Sequence, residues 1–397
     1  MRALLIVLDN LGVGNAPDDH GAPTPNTLGD LFATVPDLEL PTLFSLGLGE
    51  ILKGRVFDPP ARKCAASYGR MIQRSAGADA LSGLWELAGA ISGCPFAAFE
   101  QLPGELPAAL SLETGIEFLL NPTRNPLDLT AGAGEGMELR KTHLQTGSPI
   151  LTFGLGASLH LAAHESVLAP ARFAHICRIV RHQCDTWRIP KVTGQAYTGK
   201  PDVWKPVRTA VHLPMVPPRT ILNAISERGH PVEAVGEIAD AFARSGITRA
   251  HATAGQDESL DIIERLWNSP QSGMIVSLLS MAGVPCCGHK SGQAAGFARA
   301  LEAFDQWLER FLNGVESDNL LLISGAPWRA PGPDKPRQEV PVLLRYGGRT
   351  EPLGVRETFA DVAATLGAFF GIDELSRSWP TGESLITFHR PRGFGGP

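Results

Sequence analysis

The chain is poor in the groups that would commit it to several large classes of function. Aromatic residues fill 7% of its 397 positions, with three tyrosines, and charged residues fill 19%. Acidic residues outnumber lysine and arginine by 41 to 35, for a net charge of −6, so there is no basic excess to neutralise a phosphate backbone and nucleic acid is not expected as a partner. No apolar run approaches the roughly 20 residues that a membrane-spanning helix needs, which excludes a membrane role of that kind. The opening MRALLIVLDN meets Asp9 after a run too short for a secretory signal, and it reads as the buried first strand of a cytoplasmic protein. Cys64, Cys94, Cys177, Cys184, Cys286 and Cys287, the last two adjacent, form no disulfide framework in so long a chain, and reduced thiols are expected. The remaining partners are small molecules and proteins.

What is present is an α/β rhythm interrupted once. Leu4 to Leu8 is a continuous apolar run, the pattern of a central strand covered on both faces, and it places Asp9 at the strand's carboxyl end. Short helices are expected after Asn26 or Thr27 and over 40–48. From Cys94 the chain becomes Pro-rich without a clear strand, TAGAGEG (130–136) reads as a loop, 149–153 as a short strand and 169–187 as a long helix. A Pro-rich stretch, 201–218, closes this insert. Alternation then resumes, with helices over 219–227, 238–243, 257–267, 296–312 and 357–370 and strands over 232–235, 274–279, 320–324 and 340–344. Such alternation predicts a mainly parallel sheet. The expected domains are therefore a core formed by 1–93 and 216–397 and an inserted domain at 94–215.

The stretch around which the chain is organised is RSAGADALSGLWELAG, Arg74 to Gly89. A small-residue turn runs into an apolar helical pattern beginning near Leu84, so backbone amides should gather at a helix N-terminus, where an anion or a nucleophile is commonly held. The residue at the tip is Ala80, which can neither donate, accept nor attack. Open α/β sheets place ligands at the carboxyl ends of their strands, which adds Asp9, the tetrad Cys286 to His289, and Ser324 to Trp328 as candidate positions. Of these, Asp9 and the Cys286 to His289 tetrad offer metal ligands. His175, Cys177, His182 and Cys184 share one helix but point around different faces, so they form no site.

Taken together, IVLDNLGVG, NTLG, LPTLFSLGL, SAGADALSGLWELAG, AAHE, VGEIADAFARSGIT, GHK and GVRETFADVAATL resemble phosphopentomutase, in order and over nearly the whole chain. That family belongs to the alkaline phosphatase superfamily. The resemblance implies a doubly wound, mainly parallel α/β core with an inserted α/β cap domain. It also implies interconversion of ribose 1-phosphate and ribose 5-phosphate through a phosphorylated threonine and two manganese ions, the metals neutralising and orienting the transferred group.

Carried over residue by residue, the family pattern is incomplete here. Asp9 and His289 stand at metal-ligand positions. The nucleophilic threonine of the pattern GKDTPSGHWE falls at Ala80, its lysine at Ala78 and its histidine at Leu84. Further metal positions fall at Val284, Ala326, Pro327 and Lys335, the substrate-contacting aspartate of the cap at Gly156 and its phosphate-contacting arginine at Gln195. Alanine, valine and proline carry no side-chain ligand atom, and a lysine brings a cation where a cation was bound. Hard manganese ions want several oxygen ligands.

The expectation is thus a degenerate member of the family: a pseudoenzyme without mutase activity and without a cofactor. It would keep the fold to bind a small phosphorylated ligand or a protein partner. The alternative is an enzyme of altered chemistry, with Ser75, Ser82, Cys286 or Cys287 as nucleophile, or with one zinc or iron ion held by Cys286, Cys287 and His289. An active phosphopentomutase is the third reading. Each position also has a structural reading: Asp9 as a turn residue, His289 as a hydrogen-bonding residue beneath the old site, the cysteines as core, Lys335 paired with Asp334 or Asp9 or simply solvated, and Glu86 as a local hydrogen-bonding residue.

Overall fold

The computed structural model describes residues 1–14, 26–54, 56, 63–77, 79–97, 102–122, 135–154, 158–200, 203–207, 210–280, 291–326, 339–372 and 382–388. These fall into two compact units, one holding the described residues of Met1–Gly93 and those from Pro217 onward, the other those of Cys94–Val216.

The first unit is built on strands β1 (Arg2–Asp9), β2 (Ser67–Ile72), β9 (Val232–Gly236), β10 (Arg249–His251), β11 (Gly273–Leu279), β12 (Leu320–Ala326), β13 (Glu339–Arg345) and β14 (Pro352–Arg356). Among the described residues they form one sheet in the order β10-β9-β11-β1-β12-β13-β2-β14, parallel throughout except where β13 runs against β12 and β2. Its helices are α1 (Thr27–Thr34), α2 (Pro41–Ser45), α3 (Leu48–Leu52), α4 (Ala80–Leu87), α8 (Ile221–Glu227), α9 (Ile238–Ala241), α10 (Gln256–Trp267), α11 (Ser291–Leu312) and α12 (Ala360–Phe370).

Both faces of β1 are covered, which is why its sequence is a continuous apolar run rather than an alternating one. Leu4, Ile6 and Leu8 join a core with residues of α1, α2, α3, α10 and α11. Leu5 and Val7 face the other way, among Leu84, Leu87, Ile221, Phe242 and Leu366 of the α4, α8, α9 and α12 side. The unit is therefore a doubly wound α/β structure with a mainly parallel sheet, as the sequence predicts.

Several details differ from the sequence expectations. The helix read over 40–48 is two short helices, broken where Gly47 takes φ +108°, a conformation that favours glycine; a Cβ there would also lie 2.5 Å from Tyr68. Helix α12 starts at Ala360, three residues later than expected, because Thr358 and Phe359 are held elsewhere. Strands β2, β10 and β14 went unread, being short or flanked by turns.

The second unit carries β3 (Leu119–Leu120), β4 (Ile150–Phe153), β5 (Ser158–His164), β6 (Lys191–Lys200), β7 (Val203–Pro206) and β8 (Val211–Pro214), with α5 (Glu105–Thr114), α6 (Glu135–Thr146) and α7 (Pro170–Thr186). Helices α5 and α7 cover one sheet face through Leu106, Leu110, Phe173, Ile176, Cys177, Val180 and Cys184. Cys177 and Cys184 point into that core, and burial pushes both thiols up to about 12, while His175 and His182 are exposed; the four form no site. The Pro-rich stretches expected to be irregular contain helix α5 and strands β7 and β8. On the other face, buried His143 donates from Nδ1 to the Ser148 carbonyl (2.7 Å) and accepts at Nε2 from the His164 amide (2.8 Å), an arrangement that fits the neutral imidazole.

Packing of the first unit turns on Asp305 of α11. Its buried carboxylate accepts from the Thr42 and Leu43 amides (3.0 and 2.7 Å) and so caps α2, which lacks a side-chain cap of its own. Asp305→Ala should lower unfolding stability by about 1–3 kcal/mol, read as a lower urea midpoint at unchanged slope.

Candidate functional site

The corner after β2 is built around two carboxylates. Asp79 is the N-cap of α4: its Oδ1 accepts from the Ser82 amide at 2.9 Å, and its Oδ2 accepts from the Ser82 hydroxyl at 2.5 Å. This cap is why α4 begins at Ala80, four residues before the apolar pattern becomes visible. Gln73 braces the loop from below, donating to the Gly77 carbonyl (2.7 Å) and to Ser82 Oγ (3.1 Å).

Glu86 is fully buried and accepts four hydrogen bonds. Oε1 takes those of the Arg74 amide (2.8 Å), the Thr358 hydroxyl (2.7 Å) and the Phe359 amide (2.9 Å), and Oε2 that of the Ser75 amide (2.6 Å). One carboxylate thereby ties the corner loop to the start of α12, about 270 positions away in sequence. At the tip of the corner, Ala80 opens the helix.

The serines of the altered-chemistry reading are consumed in this scaffold. Ser82 is buried and bonded to Asp79, and buried Ser75 accepts from the Ser92 amide at 3.1 Å. Both hydroxyls are buried and hydrogen-bonded within the corner.

Asp9 ends β1 at the carboxyl edge of the sheet. Its registered neighbour on β12 is Ala326, buried and without a ligand atom. After Asp9 the chain reverses through Asn10 (φ +63°), and the Leu11 carbonyl passes so close to Gly325 that a Cβ there would lie 1.9 Å from it. Asn10 is buried, and its Oδ1 has no hydrogen-bond partner among the described residues. Burial, reinforced by the negative charge of Glu237, pushes the Asp9 carboxyl up to about 6 although hydrogen bonding from Asn10 draws it down.

Val284, Cys286, Cys287, His289, Pro327, Asp334 and Lys335 lie outside the described residues, as do Ala78 and Gly156. The alternative thiol or metal site is therefore not placed by the structure. Among the described residues no group of three or more His, Cys, Asp or Glu side chains could hold a metal ion. Gln195 is described, and it is occupied: its side-chain amide donates to the Ala196 and Val207 carbonyls, both at 2.8 Å, bracing β6.

No protein-family model matches the chain. It is 34% identical over 388 residues to the phosphopentomutase of Syntrophotalea carbinolica, covering 94% of this chain and 95% of that one. It is 32% identical over 399 residues to that of Caldanaerobacter subterraneus, covering 97% of each. The chain belongs to the phosphopentomutase family. Among solved structures it is similar to a phosphoglycerate mutase of Leishmania mexicana (9% identity, 98% of each chain, TM-score 0.45) and to PH0037 of Pyrococcus horikoshii (11% identity, 93% and 96%, TM-score 0.44).

Membership stands against the expectation of no cofactor, because the family resemblance implies manganese. Of the metal-ligand positions that the resemblance implies, Asp9 and Ala326 are described and pair in register, and the others lie outside the described residues. No described helix is long and apolar enough to cross a membrane.

Two outcomes follow from this geometry. Glu86→Gln keeps an oxygen for the three donors at Oε1 but sets an amide donor against the Ser75 amide, and should cost roughly 1–3 kcal/mol in urea unfolding. For Asp9 the folded-state pKa lies above the ordinary value, so the stability its protonated form contributes is present below about pH 4 and lost as pH rises through about 6. Asp9→Asn should therefore stabilise the protein above pH 6, on the order of 2–3 kcal/mol, and the gain should vanish by pH 4.

Proposed function

We propose that this chain is a phosphopentomutase-family protein that keeps the fold for binding, with the mutase reaction lost. The single observation that carries the reading is the tip of the corner. Asp79, Gln73, Ser82 and Glu86 build and lock the turn, and Ala80 occupies the position where the family's reaction needs a threonine oxygen. Replacement of the nucleophile while its scaffold persists is what retention for binding predicts. Ala326 beside Asp9 supports it independently, since phosphoryl transfer by this family depends on carboxylate-held metal to neutralise the phosphoryl charge.

The ligand class is a small phosphorylated molecule or a protein partner in the cytoplasm, with the inserted unit serving as a cap. The curated relatives favour a second reading, an active phosphopentomutase, through identity near one third over almost the whole chain. On that reading the metal and phosphoryl-accepting groups would come from residues 281–290 and 327–338.

Conversion of ribose 1-phosphate to ribose 5-phosphate, followed with added manganese and compared with Asp9→Ala, separates the two. The binding reading predicts no turnover above background and no effect of the substitution. Turnover abolished by Asp9→Ala would establish the enzyme. Ala80→Thr alone should restore nothing on the binding reading, because a hydroxyl without its metals remains an unactivated nucleophile.

A further inference from the structure

A second polar feature lies on the first unit, beside the corner, at the carboxyl ends of β2 and β14. The carboxyl ends of β2 and β14 are adjacent, since these strands pair in parallel, and beyond them opens a cleft of about 380 Å³, open to solvent. Its walls carry Arg74, Val355, Arg356, Glu357, Thr358, Asp361 and Glu383. That volume is within the range of small-molecule sites, and the end of the sheet is where such sites form.

The two arginines are held differently. Arg356 is clamped from behind: its Nε donates at 2.5 Å to Asp361, whose side chain is 3% exposed, so the guanidinium is fixed in direction. Among the described residues its Nη2 meets Glu383, at 3.4 Å, and that glutamate is 87% exposed. A long contact to a solvated carboxylate is worth little and exchanges readily. Arg74 is exposed, and its guanidinium has no ion-pair partner among the described residues, while its backbone is fixed by Glu86. Thr358 is turned away, its hydroxyl spent on Glu86.

We propose that this cleft is an anion-binding site for a phosphate group, received by Arg74 and by the outer edge of Arg356, with Glu383 the group it displaces. Guanidinium pairs match phosphate oxygens in geometry and charge. Glu357 and Glu383 oppose binding, which sets a modest affinity and makes Glu383 a competitor. Asp361 does not compete, because its carboxylate is already committed to Arg356. The site goes beyond the reading of the corner above and stands whether or not the chain turns over substrate.

Isothermal titration of the full-length protein with inorganic phosphate, at low ionic strength and constant pH, tests it. Arg74→Gln should weaken binding about tenfold or more, the loss of one charge-assisted contact. Glu383→Gln should strengthen it about threefold or more by removing the competitor. Asp9→Ala should leave it unchanged, which separates this site from the carboxyl end of β1. Phosphate binding that is absent from the wild type, or insensitive to both Arg74→Gln and Glu383→Gln, would overturn the proposal. Binding lost only with Asp9→Ala would place the phosphate at the old centre instead.

Discussion

The arrangement at the end of β2 depends on one buried carboxylate. Glu86 gathers two amides of the corner loop, one amide of the α12 entry and one hydroxyl, so the turn cannot relax without also freeing the start of α12. A carboxylate that accepts four hydrogen bonds is well compensated for burial, and its geometry is rigid because each donor is a backbone group or a short side chain. Asp79 adds the second constraint, holding the first turn of α4. The residue at the tip of this fixed turn is Ala80.

The carboxyl edge of β1 makes the same point in a different way. A metal centre would satisfy the charge of Asp9 and compensate its burial. At the described strand end Asp9 lies beside Ala326, and burial together with the negative charge of Glu237 raises its carboxyl to about 6. An acid left in a half-buried strand end without a cation lowers stability at neutral pH, whereas one that serves a metal is offset when the metal binds.

Much of this was legible in the sequence. The apolar run of β1 fixed both the central strand and the place of Asp9, and the blocks of motif resemblance marked the family and the corner. What escaped has physical causes. The Pro-rich insert hid α5, β7 and β8 because proline at a helix start or on an edge strand is tolerated where composition suggests a loop. Helix α4 looked shorter than it is because its first turn is made of small residues and stabilised by a cap rather than by an apolar face. The burial of Ser75 and Ser82 was not visible, because sequence does not show which side chains tertiary packing covers. The bonds from Glu86 to Thr358 and Phe359, and the Arg74 and Arg356 cleft, join residues too far apart in sequence for any local pattern to connect them.

The central claim, a corner kept without its chemistry, is tested most directly by metal stoichiometry. The full-length protein would be incubated with manganese, desalted and subjected to elemental analysis. The account predicts no retained manganese in a well-folded chain. Two manganese ions per chain, lost on Asp9→Ala, would contradict it and assign the protein a working phosphopentomutase centre.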